Sequence, residues 1–294
     1  MSRFLILGSK GQLGTELHSV FFHSGEVIAL DRSACDLSNP ESIRAVVRHA
    51  QPSVILNAAA YTAVDRAESE PELAMRVNGE APGILAEEAS AIGALLVHYS
   101  TDYVFDGSKP TPWLEDDPVD PLNVYGATKL EGERRIQHVG GKFLIFRTSW
   151  VFSPHGHNFL RTMLRLGRER EELKVVDDQL GAPTSALAIA ASTHRILTAT
   201  PAHDFARFSG IYHMTCAGET TWCGFAKAIF ARASADSPWA AVSGIPSSQY
   251  PTPARRPANS VLSNQKLSAT FNVALPSWQN ALNTTLHALG MSRD

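Results

Sequence analysis

Short apolar runs alternate with amphipathic segments through the first half of the chain. Uninterrupted apolar runs are typical of strands buried on both faces of a parallel sheet, and an apolar position about every three to four residues is typical of helices packed on it. The predicted strands are 3–8, 27–30, 52–60, 94–100 and 143–147, and the predicted helices are 12–22, 40–49, 71–92 and a segment after Tyr125. This alternation predicts an α/β fold, a Rossmann-type doubly wound parallel sheet.

The second half of the chain is less regular. Its predicted elements are helices 159–168 and 185–197 and strands 174–176 and 211–214, with a proline-rich loop over 245–257. A length of 294 residues fits one large domain or two unequal ones, at roughly 150 residues per domain. We expect a first domain over 1–150 and a smaller, interleaved C-terminal domain over 151–294, and the pattern admits a return of about 171–215 to the first domain.

Composition and charge exclude several classes of protein. With 44% hydrophobic residues the chain is expected to fold, and a net charge of −3 lacks the basic excess of a nucleic-acid-binding surface. No run approaches the roughly 18 apolar residues of a spanning helix. Cys35, Cys216 and Cys223 have no CxxC spacing, so neither a disulfide framework nor a zinc cluster is expected. We therefore expect a cytoplasmic protein without nucleic-acid or membrane partners.

A glycine motif follows the first predicted strand. Gly8, Gly11 and Gly14 stand between this strand and a helix, where glycines permit a tight turn and let the backbone approach a pyrophosphate. The spacing GxxGxxG differs from GxGxxG, so an ordinary glycine turn is the alternative. After the second strand, Asp31 suits the ribose hydroxyls of NADH, whereas Arg32 suits the 2′-phosphate of NADPH. The choice between NADH and NADPH stays open.

A tyrosine and a lysine lie four residues apart at the start of a predicted helix. On a helix, Tyr125 and Lys129 share one face, and a nearby ammonium is expected to lower the pKa of the phenol towards the range of a general acid or base. Most isolated pairs of this kind are surface pairs. Thr101, however, ends a buried strand, and ligands of open α/β sheets bind at the carboxyl ends of strands. The combination predicts an active site.

Other polar residues have simpler interpretations. His98 lies inside an apolar strand and is expected to be a hydrogen-bonded core residue. His155 and His157 flank a glycine without an evident carboxylate or cysteine partner, so they are expected to be loop residues. Arg255 and Arg256 lie in the proline-rich loop, where they are equally consistent with a diphosphate-binding pair and with an exposed ion pair.

In combination, the glycine motif, Thr101, Tyr125 and Lys129 resemble the extended short-chain dehydrogenase/reductases, which act largely on nucleotide sugars. Within them, several stretches are similar to the dTDP-4-dehydrorhamnose reductase family: 57–65, 98–107, 121–126, 146–151, 178–184 and 251–257. The resemblance covers nearly the whole chain. It implies that 1–150 bind the cofactor and that later segments bind the sugar nucleotide.

The resemblance also implies roles for individual residues. The implied cofactor, NADPH or NADH, would be held by Gly11, Gln12 and Leu13 at the pyrophosphate, Asp31 and Arg32 at the adenosine ribose, Asp36 and Leu37 at the adenine, and Ala59, Ala60 and Tyr61 at its middle. Lys129 would hold the nicotinamide ribose, Tyr125 would donate the proton, Thr101 would steady the ketone, and Asp102 and Trp150 would touch the sugar.

The implied reaction is reduction of the C4 ketone of dTDP-4-dehydro-L-rhamnose to dTDP-L-rhamnose. A dehydratase of the same superfamily usually has Asp-Glu directly after the threonine, whereas Thr101 is followed by Asp102 and Tyr103. The alternatives are a reductase or epimerase of another nucleotide sugar, and a non-catalytic regulatory subunit like the partner of methionine adenosyltransferase. A binding module has no chemical need for the threonine, tyrosine and lysine together.

Some members of the family hold Mg²⁺ at a dimer contact, with a glutamate on the first helix and acids on a later helix. Glu16 is present, but 185–203 contain no Asp or Glu. We therefore expect no bound metal, and a monomer or weak homodimer.

Overall fold

The computed structural model describes residues 2–234 and 238–292. Its strands are β1 (Arg3–Leu7), β2 (Glu26–Leu30), β3 (Val54–Asn57), β4 (Leu95–Thr101), β5 (Lys142–Thr148), β6 (Val151–Phe152), β7 (Glu172–Val176), β8 (Leu180–Gly181), β9 (Thr184–Ser185), β10 (Gly210–His213), β11 (Thr220–Thr221) and β12 (Ala241–Ile245). Within these residues the central sheet has six strands, all parallel, in the order β10-β5-β4-β3-β1-β2.

Helices connect the strands and cover the central sheet. They are α1 (Gln12–Phe21), α2 (Pro40–Ala50), α3 (Val64–Ala67), α4 (Pro71–Met75), α5 (Ala81–Ala91), α6 (Val124–Val139), α7 (Phe159–Glu169), α8 (Ala186–Ala199), α9 (Trp222–Arg232), α10 (Gln265–Phe271) and α11 (Trp278–Ala288), with 3₁₀ turns over Asp102–Val104, Asp204–Ala206 and Ser247–Gln249. In the described ranges, no helix has the length and apolar character needed to cross a membrane.

Both faces of the central sheet are buried, as the uninterrupted apolar strands predict. Ile6 of β1 packs in one cluster with Leu17 of α1, whereas its neighbour Leu5 packs in a second cluster with Ile43 of α2 and Leu85 of α5. All five side chains are fully buried, and burial of each stabilises the fold by about 1.5–3 kcal/mol. The predicted doubly wound parallel sheet is confirmed.

The second half of the chain contributes to two regions. Helix α8 packs on α1, and β10 pairs with β5 at the edge of the central sheet. Strand β7 instead pairs with β12, away from that sheet, and α9 packs on both. The segment 171–215 is therefore divided between the central sheet and the C-terminal elements, and the division into two domains stays a prediction.

The single helix predicted over 71–92 contains an irregular turn. Helices α4 and α5 are joined by a π-helical turn, Arg76–Glu80, which carries the buried Asn78. The Asn78 amide accepts a hydrogen bond from the Tyr61 N–H at 2.8 Å and donates one to the Tyr61 carbonyl oxygen at 3.0 Å. Asn78 of this π-helical turn thus fixes the loop that follows β3, at the edge of the sheet where the predicted site lies.

Candidate active site

The predicted site residues gather at the carboxyl edge of the central sheet. Because its strands are parallel, the loops that follow β1 to β5 leave from the same edge, which is where open α/β sheets bind ligands. These loops and strand ends carry the glycine motif after β1, Asp31 after β2, Ala59, Ala60 and Tyr61 after β3, Thr101 at the end of β4 and Trp150 after β5.

The glycine motif forms a turn that only glycine fits. Gly8 has a φ of +79°, and a Cβ there would lie 2.8 Å from the backbone of Ala59. A Cβ on Gly14 would collide with the Gly8 carbonyl. Helix α1 then begins after Gly11, which offers no side chain to cap the first amides. Uncapped N–H groups at a helix N-terminus bind anions, so this loop fits a dinucleotide pyrophosphate.

Two neighbours of these glycines have different surroundings. The Gln12 side-chain carbonyl accepts a hydrogen bond from the Asn158 amide at 2.9 Å, which ties the turn to the start of α7. The Leu13 side chain is buried in the core, so only its backbone is available to a pyrophosphate.

Leu37, predicted to lie at the adenine, is likewise buried in the core, and its neighbour Asp36 accepts hydrogen bonds from Ser38.

The end of β2 carries a cluster of charges. Asp31 forms an ion pair with Lys10 and accepts hydrogen bonds from the Ser33 N–H and hydroxyl, and these contacts hold the pKa of the Asp31 carboxyl far below its usual range. The Arg32 side chain is exposed and lies 3.8 Å from Asp36. The predicted ribose site therefore contains a carboxylate that remains charged and two cations, Lys10 and Arg32.

The loop after β3 is held in place by its polar contacts. Ala59 and Ala60 are half-buried there, close to Gly8. The Tyr61 hydroxyl donates a hydrogen bond to Glu70 at 2.8 Å, while its backbone is bound to Asn78. The loop after β3 therefore packs directly against the glycine motif.

Thr101 lies at the centre of the polar contacts at this edge. Its hydroxyl donates to the Asp102 carboxylate at 2.9 Å and accepts a hydrogen bond from the Tyr103 N–H at 3.2 Å. The Tyr125 side chain is hydrogen-bonded to Thr101, and the Tyr103 ring meets the Tyr125 ring edge-on at 5.7 Å between centroids. The strand end and the start of α6 thus bring two hydroxyl groups and a carboxylate together.

The Tyr125 phenol is protonated at neutral pH. Burial raises its pKa to about 12, the hydrogen bond with Thr101 lowers it by a smaller amount, and the Asp102 charge raises it further. The expectation that Lys129 lowers this pKa is wrong for the free protein, because the ammonium binds elsewhere. The Lys129 Nζ donates to the Tyr99 carbonyl at 2.6 Å and lies 3.2 Å from His98 Nε2.

Two groups beside the tyrosine are fully buried and have shifted pKa values. Burial raises the pKa of Asp102 to about 6, although hydrogen bonds from Ser260 and Thr101 lower it. Burial lowers the pKa of Lys129 to about 8, and the charge of Glu133 opposes that effect. Ionisable groups perturbed by burial within one cleft are typical of catalytic sites.

Trp150 has an unusual backbone conformation for a bulky residue. Its φ is +47°, and its ring stacks on Trp222 at 3.6 Å between centroids. Gly181 lies against the other side of the indole, where a Cβ would lie 2.6 Å from the Trp150 Cζ2 atom. Conformations of this kind persist where surrounding contacts enforce them, commonly at binding sites.

The structure separates the two arginines of the proline-rich loop. Both terminal nitrogens of Arg256 bind the Asp65 carboxylate, with Nη2 at 2.8 Å, so Arg256 is an ion-pair residue. Arg255 has an exposed side chain, and its backbone carbonyl accepts a hydrogen bond from Asn123 at 2.7 Å. Of the predicted diphosphate-binding pair, Arg255 is the remaining candidate.

Glu16 faces a histidine. His155 Nε2 lies 3.6 Å from the Glu16 carboxylate, a partner that the sequence did not indicate, and burial raises the pKa of Glu16. Across residues 2–234 and 238–292, no group of three or more His, Cys, Asp or Glu side chains is arranged to hold a metal ion.

Comparisons with known proteins agree with this geometry. The family described as RmlD substrate binding domain matches residues 2–291. A dTDP-4-dehydrorhamnose reductase of Burkholderia thailandensis is 51% identical, covering 95% of this chain and 96% of that protein. The chain belongs to the dTDP-4-dehydrorhamnose reductase family.

Solved structures of family members have the same fold over their whole length. A dTDP-4-dehydrorhamnose reductase from Clostridium acetobutylicum is 36% identical with a TM-score of 0.91, covering 98% of this chain and 100% of that chain. A dTDP-4-dehydrorhamnose reductase from Bacillus anthracis, in complex with NADP, is 33% identical with a TM-score of 0.90, covering 98% of this chain and 99% of that chain.

Several residues of the site in this reductase family member escaped the sequence analysis. They are Lys10 beside Asp31, Asn57 beside His98, Tyr103 beside Tyr125, and Ser260 beside Asp102. His98 is the hydrogen-bonded core residue that was expected, but its contact with Lys129 was not predicted. Lys10 lies within the glycine motif and Tyr103 directly follows Asp102, so their positions offered a local signal. Ser260 is distant in sequence and offered none.

Proposed function

We propose that this chain reduces the C4 ketone of dTDP-4-dehydro-L-rhamnose to dTDP-L-rhamnose, with NADPH or NADH as the reductant. Family membership gives the substrate class, and the B. anthracis relative in complex with NADP supports the cofactor. The observation that carries the proposal is the contact between Thr101 and Tyr125 at the carboxyl edge of the sheet, one helical turn from Lys129.

Each of these side chains has a distinct task in the proposed mechanism. The bound nicotinamide supplies the hydride. The Thr101 hydroxyl, which donates to Asp102 in the free protein, turns its O–H to the ketone oxygen and holds it beside the Tyr125 hydroxyl. As negative charge develops on that oxygen, the protonated Tyr125 gives it a proton. The Lys129 ammonium binds the nicotinamide ribose hydroxyls.

We assign the cofactor to the carboxyl edge of the sheet, along the glycine motif and the loop after β3. Gly8, Gly11, Gln12, Leu13 and Gly14 would bind the pyrophosphate through backbone amides. The ribose and adenine would lie against Asp31, Arg32, Asp36 and Leu37, and the middle of the cofactor against Ala59, Ala60 and Tyr61. Asp102, Trp150 and Arg255 would contact the sugar nucleotide.

The decisive test measures loss of reduced-nicotinamide absorbance when dTDP-4-dehydro-L-rhamnose, generated in situ, is added to the protein with NADPH or NADH. Tyr125→Phe is expected to lose about 10²–10⁴-fold in kcat while binding NADPH normally, because only the proton donor is removed. Tyr250→Phe is the matched control, because Tyr250 is exposed in the proline-rich loop.

Protein-dependent formation of dTDP-L-rhamnose establishes the reaction. Cofactor binding without oxidation contradicts it and makes the regulatory-subunit alternative the next to test. Oxidation with a different keto-sugar nucleotide but not with this one supports the alternative of another reductase or epimerase. Full activity of Tyr125→Phe contradicts the mechanism.

We further propose that the protein works in the cytoplasm as a monomer or weak homodimer, with residues 1–150 holding the cofactor and 151–294 mainly the substrate. The three cysteines are free and buried, which supports a reducing compartment. The lack of Asp and Glu in 185–203, where the family's further Mg²⁺ ligands would lie, supports the weak association. Sedimentation with Mg²⁺ and with a chelator tests this, and a tight dimer that dissociates on chelation contradicts it.

A further inference from the structure

A chain of buried polar groups runs from β3 to the proposed catalytic lysine. Asn57 and His98 are register partners on the adjacent strands β3 and β4, and Lys129 reaches them from α6. All three residues are 1% exposed. The Asn57 amide nitrogen lies 3.0 Å from His98 Nδ1, and His98 Nε2 lies 3.2 Å from Lys129 Nζ.

The protonation of these groups follows from what they can donate and accept. Lys129 as an ammonium has only N–H donors, so Nε2 of the imidazole must accept. Burial and the charge of Lys129 lower the pKa of His98 well below its ordinary value, which keeps the ring neutral. Its proton is then on Nδ1, where it requires an acceptor.

Asn57 supplies that acceptor. Among the described residues its buried Oδ1 has no hydrogen-bond partner. Turning the amide by half a rotation places Oδ1 at 3.0 Å from Nδ1, where it accepts the Nδ1–H. With the proton of His98 on Nδ1, the unturned amide would set its own N–H group against the Nδ1–H, so the turned amide, which presents an acceptor, is the favoured one. Asn57 thereby selects the tautomer in which Nε2 faces the lysine as an acceptor.

We propose that His98 is a positioning residue for Lys129, with Asn57 holding its imidazole in the required tautomer. In the described structure, the Tyr99 carbonyl and His98 Nε2 bind two of the three N–H groups of the ammonium. The third N–H remains for the nicotinamide ribose. The inference rests on the proposed function through that one role of Lys129.

The test compares His98→Gln with His98→Met, two side chains of similar length of which only glutamine carries a strong acceptor. We expect His98→Gln to bind NADPH within about 3-fold of the unaltered protein, and His98→Met to bind it about 10-fold or more weakly, because a hydrogen bond to a charged group is lost. His213→Met is the matched control, because His213 is equally buried on β10 of the same sheet and has no bond to Lys129.

Two further variants separate positioning from a structural effect. If His98 acts through Lys129, adding His98→Met to Lys129→Ala causes no further loss of NADPH affinity. If the two residues act independently, the fold-losses of the two single variants multiply in the double variant. Asn57→Leu keeps the imidazole but removes its anchor, and is expected to weaken binding about 3-fold or more. It keeps the test decisive if His98→Met fails to fold.

Fluorescence titration of NADPH measures these affinities without a sugar nucleotide. A wrong substrate therefore abolishes turnover but leaves the titration intact, which distinguishes failure of the proposed function from failure of this inference. Equal NADPH affinity of folded His98→Gln and His98→Met overturns the inference, as does unchanged affinity of Asn57→Leu or an effect of His213→Met as large as that of His98→Met.

Discussion

Asp102 is expected to destabilise the protein above its folded pKa, because it is a carboxyl held out of water. Its side chain is buried at the end of β4, where it accepts a hydrogen bond from Thr101. Removing its charge with Asp102→Asn keeps the shape of the side chain. We expect this variant to become progressively more stable than the unaltered protein as the pH rises, and to lose activity because Asp102 lies beside the reacting groups.

The pKa values give the size of the effect. Burial raises the pKa of Asp102 from 3.8 to about 6, and this difference corresponds to about 3 kcal/mol. The folded state holds the proton more tightly than the unfolded chain. Stability from this group is therefore complete below the unfolded value of 3.8 and is lost as the pH rises to about 6. Between about pH 5 and pH 8, roughly half of the 3 kcal/mol should be lost.

Urea unfolding at several pH values measures the prediction. The change with pH of the difference in the free energy of unfolding between Asp102→Asn and the unaltered protein is free of any constant cost of the amide. Asp106→Asn is a control of opposite sign, because hydrogen bonds from Ser108 lower the pKa of that carboxyl and its removal should destabilise the protein at neutral pH. A difference for Asp102→Asn that stays constant with pH refutes the reasoning.

Three further predictions concern the cofactor, the sugar and the proline-rich loop. Arg32→Ala should weaken NADPH binding about tenfold relative to NADH, since a guanidinium contact to the 2′-phosphate is lost, and an equal change for both cofactors in a titration contradicts that contact. Gly181→Ala should displace Trp150 and raise KM for the sugar nucleotide with NADPH affinity unchanged, and steady-state kinetics with an unaltered KM contradicts the assignment of Trp150. Asp65→Ala should cost about 1 kcal/mol of stability by unpairing Arg256, and an unchanged urea midpoint shows that this half-exposed ion pair contributes nothing.

The central sheet could be predicted because its signal is local. Strand β4 begins with three consecutive apolar residues, Leu95, Leu96 and Val97, and is buried along its whole length, so its type follows from its own residues. Strand β12 reads Ala-Val-Ser-Gly-Ile and exists through pairing with β7, far away in the sequence. The two-residue strands β6, β8, β9 and β11 are too short for any periodicity. Helix α9 was overlooked although Thr221 caps it, accepting a hydrogen bond from the Gly224 N–H.

The candidate site likewise has parts that local sequence patterns predict and parts that only long-range packing creates. The turn at Gly8 and the pairing of Tyr125 with Lys129 on one helix are local patterns, and they led to the carboxyl edge of the sheet. The ion pair of Arg256 with Asp65 joins residues 191 positions apart, and no local sequence pattern predicts that they meet. The two adjacent arginines of the loop therefore suggested a diphosphate-binding pair. Only long-range packing decides which of the two side chains remains free to bind a diphosphate.

The spacing of Tyr125 and Lys129 predicted a lowered pKa for the phenol, whereas the structure gives a raised one. Helical spacing placed Lys129 near the phenol, but spacing says nothing of burial, which raises the pKa to about 12. A phenol that stays protonated at neutral pH is an acid ready to protonate an alkoxide, whereas oxidation of the alcohol requires the phenolate as a base. Because Tyr99 and His98 hold the ammonium, Lys129 leaves the phenol in its acidic form. The surroundings of Tyr125 therefore keep it protonated, in the form that a ketone reduction requires of its proton donor.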